Sequence, residues 1–530
     1  MTDLAFAVPR TALLKTVVDM QNRGQVAEAL ELLRTPAAAS PGDGEVAHIM
    51  AILAHRLGRT DDALRWNAGA MRTEGQHRAA AFRNQAEMMR AAIAGKEGPA
   101  AHMAIQAALR AAQDLAAFHG GFKSAEVVHT YALTLAACGR YAEARGLLEA
   151  QASRFGDQPD LRFLLAELCL RAGNWKRGWQ FYSDRFRIRS AKPYIPDAVR
   201  ELAGARAREW DGAAGLDDGH LTIMCDQGFG DIIMFSRFLP ALLRHAYEKG
   251  VREAQIGAPG DMHPWVRRAA SMATDGLDGD PLVVRLFDRW TEADALRAYV
   301  ALSSAPALLA VDHPSAGTWY RDWAAAWSPG RYFGDTEGIE RAAPGLLQDP
   351  NVARIGLVWA GRPDHPNDGN RSMPLAALLA AAEVAFPSTA RVVFFSLQKG
   401  DAAAQIGTRP FPYPLIDLGP HLTTLERTVG AMRNMHAVVT VDTAMAHLAA
   451  TIGTPVYVAL PHAAEWRWGD LPDDGRLMQG CAAWYPEASH GNVWLARRKA
   501  DDCWSDVAER VFAHLMHAYV PAFTLSEAPT

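Results

Sequence analysis

A chain of 530 residues exceeds what one hydrophobic core serves, and 49% hydrophobic with 21% charged residues describes packed globular units rather than a disordered chain. The formal net charge of −5 supplies no broad cationic field, which disfavours a protein built to hold nucleic-acid phosphates or anionic lipid. Five scattered cysteines, Cys138, Cys169, Cys225, Cys481 and Cys503, contain no C-x-x-C pair; they read as free thiols of a cytoplasmic protein, with neither a disulfide framework nor a zinc site. The opening residues MTDLAFAVPRTALLK lack the pattern of a signal peptide, and no apolar run is long enough for a membrane span.

Four phrases align without gaps in the first third: RGQVAEALELL from Arg23, LGRTDDALRW from Leu57, CGRYAEARGLL from Cys138 and AGNWKRGWQFY from Ala172. Gly24, Gly58, Gly139 and Gly173 are each followed five residues later by a small residue, Ala29, Ala63, Ala144 and Gly178, and the first and last pairs of glycines are 34 residues apart. Glycine turns the chain between antiparallel helices without a Cβ penalty, and the small residue lets the second helix pack closely on the first. This region resembles tetratricopeptide repeats. Pro41 stands where that family ends a helix, and the 81 residues from Gly58 to Gly139 are expected to hold two irregular, longer helical pairs, including the stretch Arg78 to Ala117. Such an array either braces its neighbour or offers a concave surface that grips a polypeptide, and the curvature of stacked pairs favours the second reading.

Lys192 to Ala205, with two prolines and no clear period, reads as a connector. Apolar runs then alternate with helical patterns: LTIMCD, EAQIGAP, LVVRLF and YVALSS in one half; RIGLVWAG, VVFFSL, LIDLG, AVVTVD and PVYVAL in the other. Strands separated by helices predict parallel sheets, hence two doubly wound α/β lobes meeting near Ala343 to Ala353. The domains expected are a helical repeat solenoid over 1–195, a first Rossmann-like lobe over 196–345 and a second over 346–530 that ends in a closing helix.

Two segments combine strand, tight turn and helix start: CDQGFGDIIMFSRFLP from Cys225, and VDTAMAHLAATIGTPVYVALP from Val441. Together with WDG at Trp210, GLVWAGRPDHPNDGNRSMPL and FSLQKG, in this order and spacing, they make the region from Trp210 to near Ala518 similar to the heptosyltransferase-like glycosyltransferases (glycosyltransferase family 9), in the subgroup fused to tetratricopeptide repeats. The resemblance implies a GT-B fold that holds a nucleotide sugar on the second lobe and the acceptor on the first.

Transfer from a nucleotide sugar needs a base for the acceptor hydroxyl and stabilisation of the leaving phosphate. Thr443, Ala444 and Met445 occupy a predicted helix start after the strand ending at Asp442, where free amides and the helix dipole suit phosphate oxygens. The family's D-T-x-x-x-H stretch has this role, and His447 lies one turn on, as a donor-site group or as a packed core histidine. Arg371 matches a basic residue that the family places near the donor phosphates, against the alternative of a surface arginine. Gln398 and Lys399 follow a strand at the edge where such sheets bind ligands; repeat-fused protein O-linked N-acetylglucosaminyltransferases also carry a Gln and Lys there, and the competing reading of Lys399 is a solvated charge. Asp231 corresponds to the family's general base, with helix capping as its alternative, and Gln227, Gly228, Phe229 and Gly230 form the loop facing the acceptor. The pairs Asp217-Asp218, Asp473-Asp474 and Asp501-Asp502 read as solvated carboxylates, so no metal is expected and the only co-substrate is the nucleotide sugar. EWRWG at Glu465 and AWYP at Ala483 read as core that clamps the closing helix, or as groups stacking on a base.

The function expected is inverting, metal-independent transfer of a sugar to a Ser or Thr hydroxyl of a protein gripped by the repeats, with flagellin one candidate that the resemblance suggests. Assembly of a cell-surface glycan, or a non-catalytic repeat scaffold with a degenerate transferase domain, are the alternatives.

Overall fold

The computed structural model describes residues 9–188, 208–216, 218–274, 280–289, 296–314, 336–346, 349–472, 474–479, 484–485 and 493–519, with a few single positions between 190 and 201. The chain forms two compact units that divide between Leu161 and Arg162. The fourth repeat phrase therefore belongs to the second unit, ahead of the boundary expected at residue 195. Most of the expected connector, together with Cys481, Asp217 and Asp473, lies outside the described residues.

The first unit is helical: α1 (Arg10–Asn22), α2 (Val26–Ala39), α3 (Gly44–Arg56), α4 (Thr60–Arg72), α5 (His77–Ala91), α6 (Gly98–Phe118), α7 (Ala125–Ala137), α8 (Tyr141–Ala150) and the single turn α9 (Ala152–Phe155). From α1 to α8 each helix packs on the next, the stacking expected of tetratricopeptide-like pairs. Gly24, Gly58 and Gly139 turn between helices at φ of 81°, 72° and 73°, backbone that other residues adopt only at a cost. Ala29, Ala63 and Ala144 are fully buried where the paired helices meet. Asp43 caps α3, accepting from the amides of Glu45 and Val46, and Arg10 holds that carboxylate at 2.6 and 2.8 Å. The long interval after Gly58 holds one complete intervening pair, α5 with the 21-residue α6, rather than two.

α10 (Pro159–Arg171) and α11 (Trp175–Tyr182) lead into the second unit, which contains two sheets. The first sheet comprises β1 (Arg208–Glu209), β2 (His220–Met224), β3 (Glu253–Gly257), β4 (Val283–Phe287) and β5 (Ala298–Ala301), in the order β1-β5-β2-β3-β4 with every pair parallel. The second comprises β6 (Ala353–Val358), β7 (Val392–Ser396), β8 (Leu415–Asp417), β9 (Ala437–Val441), β10 (Val456–Leu460), β11 (Leu477–Gln479) and β12 (Val493–Arg497). Its order is β11-β12-β10-β9-β6-β7-β8, parallel except for β11 on β12. All nine strands read from the sequence are present. Strand order reverses between β2 and β5 in one sheet and between β6 and β9 in the other, and ligands of open parallel sheets bind beyond the strand ends at such points.

α12 (Phe229–Phe235) follows β2, and α13 (Ala444–Thr451) follows β9. The tryptophan-rich segments are core, with Trp466, Trp468 and Trp484 no more than 3% exposed. They do not clamp the closing helix. Trp179 of α11 meets Trp466 at 5.9 Å, Trp484 at 6.1 Å and Phe235 of α12 at 6.2 Å, so the aromatic cluster fixes the fourth repeat phrase to both lobes. The closing helix α14 (Trp504–Tyr519) joins a separate core through Trp504, Val507 and Phe512. Asp502 departs from its solvated expectation: it is buried, accepts from the Lys499 amide at 3.0 Å and pairs with Arg510 at 2.8 Å.

A Cβ at Gly178 would stand 2.5 Å from Cδ2 and Cγ of Leu170, itself fully buried, so glycine is what lets α11 lie against α10. Gly178→Val should lower stability by about 1–3 kcal/mol, the usual range for overpacking, visible as a reduced melting temperature. An unchanged melting temperature would show that the α10–α11 contact yields without cost.

Candidate active site

Three short segments converge beyond the strand ends of the second unit. The first is the turn from β2 into α12. Asp226 locks it to the end of β5: its buried carboxylate accepts from the Ser303 amide at 3.1 Å and the Ser303 hydroxyl at 2.7 Å, with Arg185 at 3.5 Å. Gly228 and Phe229 then stand exposed at the amino end of α12. Asp231 follows in the first helical turn, with 20% of its side chain open to solvent.

The second segment is the turn from β9 into α13. Thr443 takes the extended N-cap conformation and no side chain caps this end, while Thr443, Ala444 and Met445 remain partly exposed. The two turns touch. A Cβ on Gly230 would lie 3.2 Å from Cα of Ala444 and 3.0 Å from Cδ2 of His447, so glycine there permits the close approach of α12 to the start of α13.

The third segment, Glu465 to Gly469, was read from the sequence only for its tryptophans. Its arginine is the principal residue that sequence reasoning missed. Arg467 Nη2 lies 2.5 Å from Asp231 Oδ1, Nη1 lies 3.3 Å from Glu465 Oε2, and Nη2 also donates to Gln227 Oε1 at 3.4 Å. The guanidinium carbon sits 4.8 Å from the centre of the Trp466 ring. One residue on, Trp468 Nε1 donates to Asp442 Oδ1 at 2.9 Å. The only sequence signal for Arg467 was a charge set between two core tryptophans, where burial obliges it to find an anion.

Among the residues assigned to donor binding, some face the opening and some do not. Arg371 is mostly buried and donates from Nη1 to the Asp442 carbonyl at 3.2 Å, with Nε 3.4 Å from Asp368, so its guanidinium lies beside the start of α13. Gly361 makes room for it: a Cβ there would fall 2.5 Å from Arg371 Nη2. Gln398 is spent on the protein itself. Its Oε1 accepts from the amides of Trp359 and Ala360 at 3.0 and 2.9 Å, and its Nε2 donates to the carbonyls of Ala360 and Lys399 at 3.1 and 2.9 Å, so it braces the end of β6 against that of β7. Lys399 is exposed and donates to the Leu422 carbonyl at 2.8 Å. His447 is a packed histidine: its ring stacks on Trp468 at 4.8 Å, Nδ1 pairs with the Tyr485 hydroxyl at 2.9 Å, and burial drops its pKa to about 3. It is neutral at physiological pH and supplies no positive charge.

Burial also dominates the carboxylates. It lifts the pKa of Asp442 to about 6, with Glu465 adding to the rise and the Trp468 hydrogen bond opposing it. The pKa of Asp231 is raised by burial against the opposing pull of Arg467. The cluster thus sets Arg467 among several acids, with Arg371 beside the start of α13.

No protein-family model matches the chain, and neither does any curated protein. Solved structures with some likeness include a thermophilic TPR protein of Thermus thermophilus (20% identity, covering 34% of this chain and 91% of that one, TM-score 0.29). A tetratricopeptide repeat protein of Parabacteroides merdae matches at 12% identity over 50% of this chain and 84% of that one, with a TM-score of 0.30. A mutant O-GlcNAc transferase of Thermobaculum terrenum spans 97% of this chain and 96% of its own at 11% identity, with a TM-score of 0.27. At such scores these likenesses decide nothing about the site, whose chemistry follows from its own residues.

Glu167 on α10 senses the same cluster: burial, then the like charge of Glu465, lifts its pKa to about 8 from an ordinary 4.5. The folded chain therefore keeps a proton that the unfolded chain releases, and stability falls as pH climbs from about 4.5 to 8. Glu167→Gln should melt with wild type near pH 4.5 and above it near pH 8.5. Thermal melts displaced equally at both pH values would exclude this linkage.

Proposed function

We propose that the chain is a glycosyltransferase of GT-B architecture that moves a sugar from a nucleotide sugar to a hydroxyl of a protein acceptor, with inversion and without a metal. The observation that carries the reading is the close approach of the Asp231 turn to the uncapped amino end of α13 at the strand-order reversals of both sheets. Amides of Ala444 and Met445 receive the leaving phosphate, and Arg371, beside the same helix start, adds a forked positive charge. Asp231 takes the proton of the acceptor hydroxyl. The oxygen attacks the anomeric carbon from the face opposite the phosphate, and the electron pair of the broken bond leaves with the nucleotide. The exposed Gly228 and Phe229 border the acceptor side.

The acceptor is read as a protein because a helical-repeat unit precedes the α/β unit, and stacked helical pairs present grooves that suit an extended polypeptide. Among the described residues no helix is long and apolar enough to cross a membrane. The proposed place of action is the cytoplasm, where nucleotide sugars are made.

The test uses an extract of cells lacking this gene, supplemented with nucleotide sugars and the full-length chain, followed by intact-mass analysis of the proteins it captures. Wild type should add hexose-sized or related increments to Ser or Thr of a captured protein, and Asp231→Asn should capture the same protein with transfer reduced about 10²–10⁴-fold. Wild-type transfer rates in the Asp231→Asn chain would remove Asp231 from the chemistry.

A further inference from the structure

Arg467 presents a difficulty for the proposed chemistry. A general base must be free to accept a proton, yet the carboxylate of Asp231 is held at 2.5 Å by a guanidinium, which stabilises its charged form and opposes the basicity that burial gives it. We infer that Arg467 is a phosphate-released latch: the diphosphate of the arriving donor draws the guanidinium off Asp231, and only then is the carboxylate free to take the proton of the acceptor. This inference builds on the transferase reading above and adds to it a residue, and a binding order, that the reading does not require.

Three features support it. Arg467 belongs to the turn that Trp468 pins to Asp442, two residues before the start of α13, and Trp468 stacks on His447 in the first turns of that helix. The guanidinium therefore already lies close to where the phosphates are proposed to sit, and a change of side-chain rotamer rather than a loop movement transfers it. Its bonding is also divided. Nη1 is shared with Glu465 at 3.3 Å, Gln227 receives a long 3.4 Å bond, and Nε has no hydrogen-bond partner among the described residues. Finally, the face of Trp466 supports the guanidinium without fixing its direction, since a cation over a ring is held by a broad, non-directional attraction. A diphosphate offers two oxygens in the geometry that a guanidinium fork matches, with more charge than one carboxylate.

The latch makes donor binding a precondition of base activation. Asp231 and the phosphate compete for one cation, so removing Asp231 must help the nucleotide bind, and must do so through Arg467.

Calorimetric titration of the full chain with UDP, GDP, ADP and TDP, for wild type and for Asp231→Asn, Arg467→Met and the double variant, tests this. With whichever diphosphate wild type binds, Asp231→Asn should bind several-fold more tightly and Arg467→Met about tenfold more weakly. In the Arg467→Met background the gain from Asp231→Asn should disappear. Plain charge repulsion between Asp231 and phosphate would persist in that background, so an equal gain with and without Arg467 overturns the latch, as does no gain in Asp231→Asn alone. If Arg467→Met does not fold, Arg467→Lys replaces it, with an affinity expected between the two and a smaller gain from Asp231→Asn. Failure of wild type to bind any of the four diphosphates would overturn the transferase reading, and the latch with it.

Discussion

A buried guanidinium must have an anion, and the pairing of Arg467 with Asp231 is the contact on which the arrangement of the second unit's opening turns. The acid comes from the turn after β2 in one sheet, and the arginine from the segment after β10 in the other. Within its own lobe Arg467 keeps the longer 3.3 Å contact with Glu465, and its short bond crosses to Asp231 of the other lobe. The ion pair therefore does what apolar contact cannot: it specifies which turn of one lobe faces which turn of the other, because displacement breaks the short bond between two mostly buried charges.

Packing holds that register in place. Trp466 packs on Trp179 and Tyr182 of α11 and on Trp484, and Trp468 stacks on His447 of α13, so the turn carrying the charge is anchored by its neighbours while the charge itself stays at the opening. Gly230 then sets the distance. With no side chain there, the starts of α12 and α13 come nearly into backbone contact, and two positive helix ends meet at one spot. With the guanidinium of Arg371 beside it, such a place favours the multiply charged leaving group of the proposed nucleotide sugar. Asp231 and Asp442 occupy it in the meantime, and burial raises the pKa of both.

Much of the architecture was legible in the chain itself. The turn glycines and their small partners, Gly24 with Ala29 or Gly139 with Ala144, marked the helical pairs because a positive φ and a close helix crossing each tolerate few residues. The central strands of the second sheet, β6, β7, β9 and β10, stood out as apolar runs because both faces of parallel sheets are covered there. β1, a two-residue strand, and β11, an edge strand, carry too little apolar pattern to be seen, and β12 ends in Arg497, whose charge is answered by the carbonyls of His462 and Leu471 far away in the chain. The fourth repeat phrase joins the second compact unit because Trp175 and Trp179 bear the repeat pattern yet bury in the α/β core. At the site, the turns of Asp231 and Thr443 were readable from strand-turn-helix grammar. The brace role of Gln398, the choice between the two readings of His447 and the importance of Arg467 were not, since each depends on which distant atoms the fold brings within hydrogen-bond reach.

The most direct test of the central claim, that the start of α13 opposite Asp231 is a phosphate site, is a crystal structure of the chain with a bound nucleoside diphosphate. The account predicts phosphate oxygens within hydrogen-bond distance of the Ala444 and Met445 amides and of the Arg371 guanidinium, with Asp231 across from them. A nucleotide bound with its phosphates elsewhere on the α/β unit, and the start of α13 unchanged, would contradict it.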